Sequence, residues 1–110
     1  ISPPPEVRAL ADAAVAMLEK AGQAWRTRDA VLARSLDKRD RAVDDLNRAA
    51  FARLIEITRG HPDQFERSLA MAGICRHIER AGDHAVNIGE RVVFWVEGAE
   101  LRHGGGGQAP

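Results

Sequence analysis

Tyrosine is absent from the 110 residues of the chain, and cysteine occurs once, at Cys75. A single thiol excludes an internal disulfide framework and any zinc site built on paired cysteines. An excess of one charge is lacking too: 16 Lys plus Arg balance 16 Asp plus Glu, for a formal net charge of zero. A nucleic-acid surface needs surplus cationic side chains on one face, so no nucleic-acid partner is expected. No apolar run approaches the roughly 20 residues that span a bilayer, and no signal-peptide pattern opens the chain, so membrane insertion is not expected either. These absences point to a reducing, aqueous setting. The opening Ile1-Ser2-Pro3-Pro4-Pro5 reads as a segment cut from a longer protein.

What is present suits one compact domain. Hydrophobic residues make up 45% and charged residues 29%, a globular composition able to bury roughly two thirds of its unfolded surface. Every proline except Pro62 lies at an end, and the residues between are good helix formers with few β-branched runs. Three helices are predicted. The first starts near Pro5, with Glu6 suiting the dipole, and repeats apolar residues at Val7, Leu10, Ala14, Met17, Leu18, Ala21 and Trp25. Gly22 inside it marks expected close packing. Asp29 caps a second helix, carried to about Ile57 by Leu32, Leu36, Val43, Leu46, Ala50 and Leu54. The break at Arg59-Gly60-His61-Pro62-Asp63 places Gly60 as a left-handed stop and Pro62 as the next start. The third helix runs to about Glu97 and stops at Gly98. A domain over 5–100 and a flexible Gly-rich tail over 101–110 follow, the domain being all-α, an antiparallel three-helix bundle.

A helical wheel puts Ile74, Ile78, Ala81, Ala85, Ile88, Val92 and Val96 on one core face of the third helix. Glu79 and Asp83, four apart, stack at its border; Asp40 and Asp44 repeat the spacing beside Leu36, Val43 and Leu46 on the second helix. In an antiparallel bundle the two pairs could face each other, and each carboxylate would then need a partner to stay ionised. A hard cation is one solution, since oxygen ligands suit Mg²⁺, Ca²⁺, Mn²⁺ or ferric iron. Arginine is the other: Arg48 and Arg41 lie one turn from Asp44, Arg80 one turn from Asp83, and Arg76 beside Glu79. Spacing alone leaves both open and favours the ion pairs.

Other constellations are weaker. His77 and His84 lie on one face but about 10 Å apart. Cys75 is read as a small core hydrophobe, and Trp25, Phe51, Phe94 and Trp95 as bundle core. Glu-x-x-His occurs once, at Glu100 to His103, beside the glycines. There is no Gly-rich phosphate loop and no G-x-S-x-G, so no enzyme is expected.

The run Arg76-His77-Ile78-Glu79-Arg80-Ala81-Gly82-Asp83-His84-Ala85-Val86-Asn87-Ile88 resembles the third-helix signature of the PhoU family, the phosphate-uptake regulators. The likeness continues through Arg91-Val92-Val93-Phe94-Trp95-Val96-Glu97-Gly98, and Asp40-Arg41-Ala42-Val43-Asp44-Asp45-Leu46 resembles the family's second-helix element. Pro4-Pro5-Glu6 resembles the linker entering the second of its two repeats, so the chain reads as a C-terminal three-helix repeat. Gly89 is a small departure expected to loosen packing. The resemblance implies a non-enzymatic regulator that dampens phosphate uptake and phosphate-starvation signalling through protein contacts. Its implied partners are the ATPase of the phosphate ABC transporter and a sensor histidine kinase. It further implies a homo-oligomer and a cytoplasmic location, peripheral at the inner membrane through partners. Metal ligands would be Asp40, Asp44, Glu79 and Asp83, with His84 and Asn87 as outer hydrogen-bonding groups. The ion would be divalent or ferric: iron, manganese, magnesium, calcium or zinc. The alternative is a structural helical interaction domain without metal, such as the cytoplasmic tail of a sodium/phosphate cotransporter fusion.

Overall fold

The computed structural model describes the backbone of residues 2–104 and the side chains of residues 2–98. Three helices, with no strand among the described residues, make the expected all-α bundle: α1 (Pro5–Thr27), α2 (Ala30–Gly60) and α3 (Phe65–Gly104), with a 3₁₀ turn over Pro62–Gln64. Each boundary has a local cause. Pro5 opens α1, where its missing N–H costs nothing. Arg28 closes α1 in the left-handed region at φ 57°. Asp29 then caps α2, its side chain accepting a 2.9 Å hydrogen bond from the Leu32 amide. At the other end of α2, Gly60 is the last helical residue and is not left-handed; His61, at φ −139°, makes the turn, its amide bonding to the Ile57 carbonyl.

Helix α3 departs from expectation. Gly98 does not stop it: with Pro absent until Pro110, nothing forbids the helical backbone, which continues to Gly104. The first residues of the expected tail, 101–104, are therefore helical, while 105–110 and the side chains of Glu100 and His103 lie outside the described residues.

The core differs from the wheel as well. On α1 the buried positions are Val7, Leu10, Ala14, Met17, Ala21 and Ala24, while Leu18 and Trp25 are exposed. On α3 they are Ser68, Cys75, Gly82, Ala85, Gly89, Val92 and Val96, while Ile74 and Ile88 are exposed. Half-buried Met71 and Ile78 complete steps of three and four that repeat every seven residues, the spacing of a coiled-coil seam. Small residues occupy that seam, so large side chains are a poor guide to it. At Gly89 an added Cβ would lie 2.8 Å from the Ala33 carbonyl oxygen and from Leu36 Cδ1. Glycine there tightens the α2–α3 contact rather than loosening it. Gly22, by contrast, meets only the end of Arg26, so it marks no close helix packing. The narrow seam leaves no room for the aromatics: Trp25, Phe51, Phe94 and Trp95 are all exposed. The two tryptophans instead pack against each other at 4.9 Å between centroids, with the Arg28 guanidinium 4.5 Å above Trp95.

Candidate functional site

Helices α2 and α3 run antiparallel, so rising numbers on one meet falling numbers on the other. Gly89 meets Ala33 and Leu36, Gly82 meets Asp40 and Val43, Glu79 meets Asn47, and Arg34 pairs with Glu97. This register brings Asp40 opposite Asp83 and Asp44 opposite Glu79. The four predicted carboxylates thus converge as two acidic rungs on one seam. Asp40, Asp44 and Glu79 are half-buried, and Asp83 is exposed.

Gly82 makes the upper rung possible. Its missing Cβ would sit 3.3 Å from Asp40 Oδ1 and 3.4 Å from Val43, so any side chain at 82 would press on that carboxylate. Asp40 Oδ1 is buried there with no hydrogen-bond partner, a costly state for a charged oxygen. The electrostatics follow. Burial, then the charges of Asp44, Asp83 and Glu79, raise Asp40 from the ordinary 3.8 to about 6. Glu79 is raised by burial first, then by Asp44 and Asp83; the Asn47 carboxamide, donating to Glu79 Oε2 at 3.1 Å, works the other way.

The arginines expected to neutralise these acids lie elsewhere. Arg41 pairs with Asp37, Arg48 with Asp45, Arg53 with Glu56 and Arg34 with Glu97. Among the described residues, none of Asp40, Asp44, Glu79 and Asp83 has a guanidinium partner. The donor set, four carboxylates of which Asp40 carries a buried unpartnered oxygen, is chemically right for a hard cation. Among the described residues, however, no three His, Cys, Asp or Glu side chains are gathered closely enough to enclose an ion.

Outer positions differ from expectation. His84 and Asn87 are exposed and neither hydrogen-bonds to the acids among the described residues. The amide that does so is Asn47, one turn beyond Asp44 on the same stripe, a position readable from the spacing. Cys75 is buried as expected, and burial pushes its thiol up, leaving it a core side chain.

Residues 7–92, spanning both rungs, match the PhoU domain family. The chain belongs to that family. It is 35% identical over 100 residues to the phosphate-specific transport system accessory protein PhoU homolog of Pseudomonas putida, covering 91% of this chain and 39% of that one. The homolog of Pseudomonas aeruginosa is 35% identical over 98 residues, 89% of this chain and 40% of its own length. PhoU homolog 1 of Mycobacterium tuberculosis is 38% identical over 89 residues, 81% and 39% respectively. The chain spans about two fifths of the length of these curated relatives. No solved structure gives a significant match. In this PhoU domain no helix among the described residues is long and apolar enough to cross a membrane.

Proposed function

We propose that this PhoU domain is a non-enzymatic regulatory module of phosphate transport, dampening uptake and starvation signalling through protein contacts. Its partners, on this reading, are the transporter ATPase and a sensor histidine kinase, reached from the cytoplasmic side, with the domain working as part of a homo-oligomer. The relatives' names as accessory proteins of a phosphate-specific transport system support the assignment. The observation that carries the site is four carboxylates meeting across the α2–α3 seam with no guanidinium among the described residues to neutralise them.

Asp40 and Asp83 would hold a divalent or ferric ion (iron, manganese, magnesium, calcium or zinc) at one rung, and Asp44 and Glu79 at the other, with Asn47 fixing the Glu79 carboxylate. A cation, when bound, supplies charge neutralisation. The chain's part is to present oxygens from two helices, so that occupancy ties α2 to α3 and stiffens the face offered to partners. Chelator-treated protein melted with added Mn²⁺, Ca²⁺ or Fe³⁺ tests this. An ion at 100 times its dissociation constant adds about 2.7 kcal/mol of stability, and a flat melting temperature with all three would contradict binding. A second reading, a metal-free interaction bundle, is favoured by the lack of any preformed three-ligand cluster among the described residues. It predicts that flat result.

A further inference from the structure

Toward the α2–α3 turn, the seam opens into an apolar groove that no α1 residue lines. One part of it, about 250 Å³, lies between Phe51, Ile55, Phe65 and Leu69, and Phe65 and Leu69 are 55% and 61% exposed. The groove continues past Ala72 and Arg76 to Asn47 and Glu79, at the edge of the acidic rungs. From Phe65 to Glu79 that is about 20 Å, the length of a four-turn helix. Water-exposed apolar side chains in one continuous trough are the form taken by helix-binding grooves.

Two further observations bear on what lies in it. Ser68, only 5% exposed, lies in the groove wall with its hydroxyl buried beneath the surface and without a hydrogen-bond partner. Its rim carries Arg48, Arg59 and Arg76 against the single Glu79. Arg48 is held by Asp45, but Arg59 and Arg76 form no ion pair among the described residues. The rim is therefore basic, and an occupant with acidic edges is complementary to it.

We propose that this groove docks an amphipathic helix of a partner protein, its apolar stripe seated on Phe51, Phe65 and Leu69 and flanked by Asp or Glu side chains facing Arg59 and Arg76. The assignment rests on the domain's being an interaction module and is independent of metal at the acidic rungs.

The test uses the full chain and a fluorescent 16-residue helical peptide with Leu at three- and four-residue steps and Glu on both flanks. Its twin carries Lys in place of Glu. By anisotropy the Glu peptide should bind at least about tenfold more tightly than its twin, since like charges across an interface are strongly disfavoured. Leu69→Asp should weaken it about tenfold or more, as removal of a central apolar anchor does. The double variant Arg59→Glu, Arg76→Glu should reverse the preference between the peptides. All three side chains are exposed, so the fold survives, as an unchanged melting temperature will verify. Equal binding of both peptides, or none by the Glu peptide, overturns the proposal. So does a concentration-dependent dimer abolished by Leu69→Asp, which assigns the groove to a second copy. The variant Asp44→Asn, Asp83→Asn should bind the Glu peptide at least as tightly as the native chain, since it removes negative charge beside the groove's end; loss there would move the contact onto the acidic rungs and overturn it equally.

Discussion

Asp40 holds a buried, unpartnered oxygen and a carboxyl raised to about 6, so in metal-free protein it opposes folding at neutral pH. The sign follows from linkage. A carboxyl whose folded value exceeds its unfolded 3.8 favours the folded state when protonated. That contribution is fully present below about 3.8 and is lost as pH rises through about 6. Asp40→Asn removes the repulsion. At pH 7 it should stabilise chelator-treated protein by on the order of 1 kcal/mol, solvent screening of a half-buried group allowed for. Near pH 3.5 the gain should vanish, and urea midpoints at the two pH values check both statements. Gly89 gives a prediction of opposite sign to helix propensity. Gly89→Ala should destabilise by about 1–3 kcal/mol because its Cβ meets a backbone carbonyl that cannot swing aside. Gly73→Ala, with nothing within 4 Å, should instead stabilise by about 0.5–1 kcal/mol. Equal effects at the two positions in urea unfolding would refute this account of the seam.

At the scale of elements, the break between α1 and α2 depends on one side chain. Asp29→Ala leaves the Leu32 amide without its acceptor and should cost about 1 kcal/mol in thermal or urea unfolding. That cap was readable in the sequence, as were Pro5 and the antiparallel order of the helices, whereas Pro62, expected to start the third helix, opens a 3₁₀ turn and α3 begins at Phe65. The core stripe of α3 was readable only in part. Following Ile74 and Ile88 leads to the wrong face, since the seam runs through Gly82, Ala85 and Gly89, whose contribution is to let backbones approach. Its seven-residue repeat also drifts from a wheel drawn at 3.6 residues per turn. Gly98 misleads for a related reason: a glycine weakens a helix but ends it only where the chain has another conformation to gain.

For the whole molecule, the acidic pairs at 40, 44, 79 and 83 were legible from four-residue spacing, and their meeting required only antiparallel packing. Spacing could not decide between cation and arginine, because each acid has a guanidinium within one turn in sequence. In the structure Arg41 reaches Asp37 and Arg48 reaches Asp45, both on the solvent side, rather than the seam acids. The aromatics Trp25, Phe51, Phe94 and Trp95, read as core from the sequence, are exposed because a seam of small residues pushes them outward, where Phe51 joins Phe65 in lining a groove and the two tryptophans cover each other. Charge is thus segregated along one face, acidic at mid-length and basic beside the apolar trough.

Metal content by elemental analysis, after equilibration of chelator-treated protein with Mn²⁺ or Fe³⁺ and gel filtration, tests the central claim most directly. The account predicts bound metal in the native chain and its loss in the variant Asp44→Asn, Asp83→Asn. A native chain that emerges without metal, or a variant that keeps as much as the native chain, would contradict it.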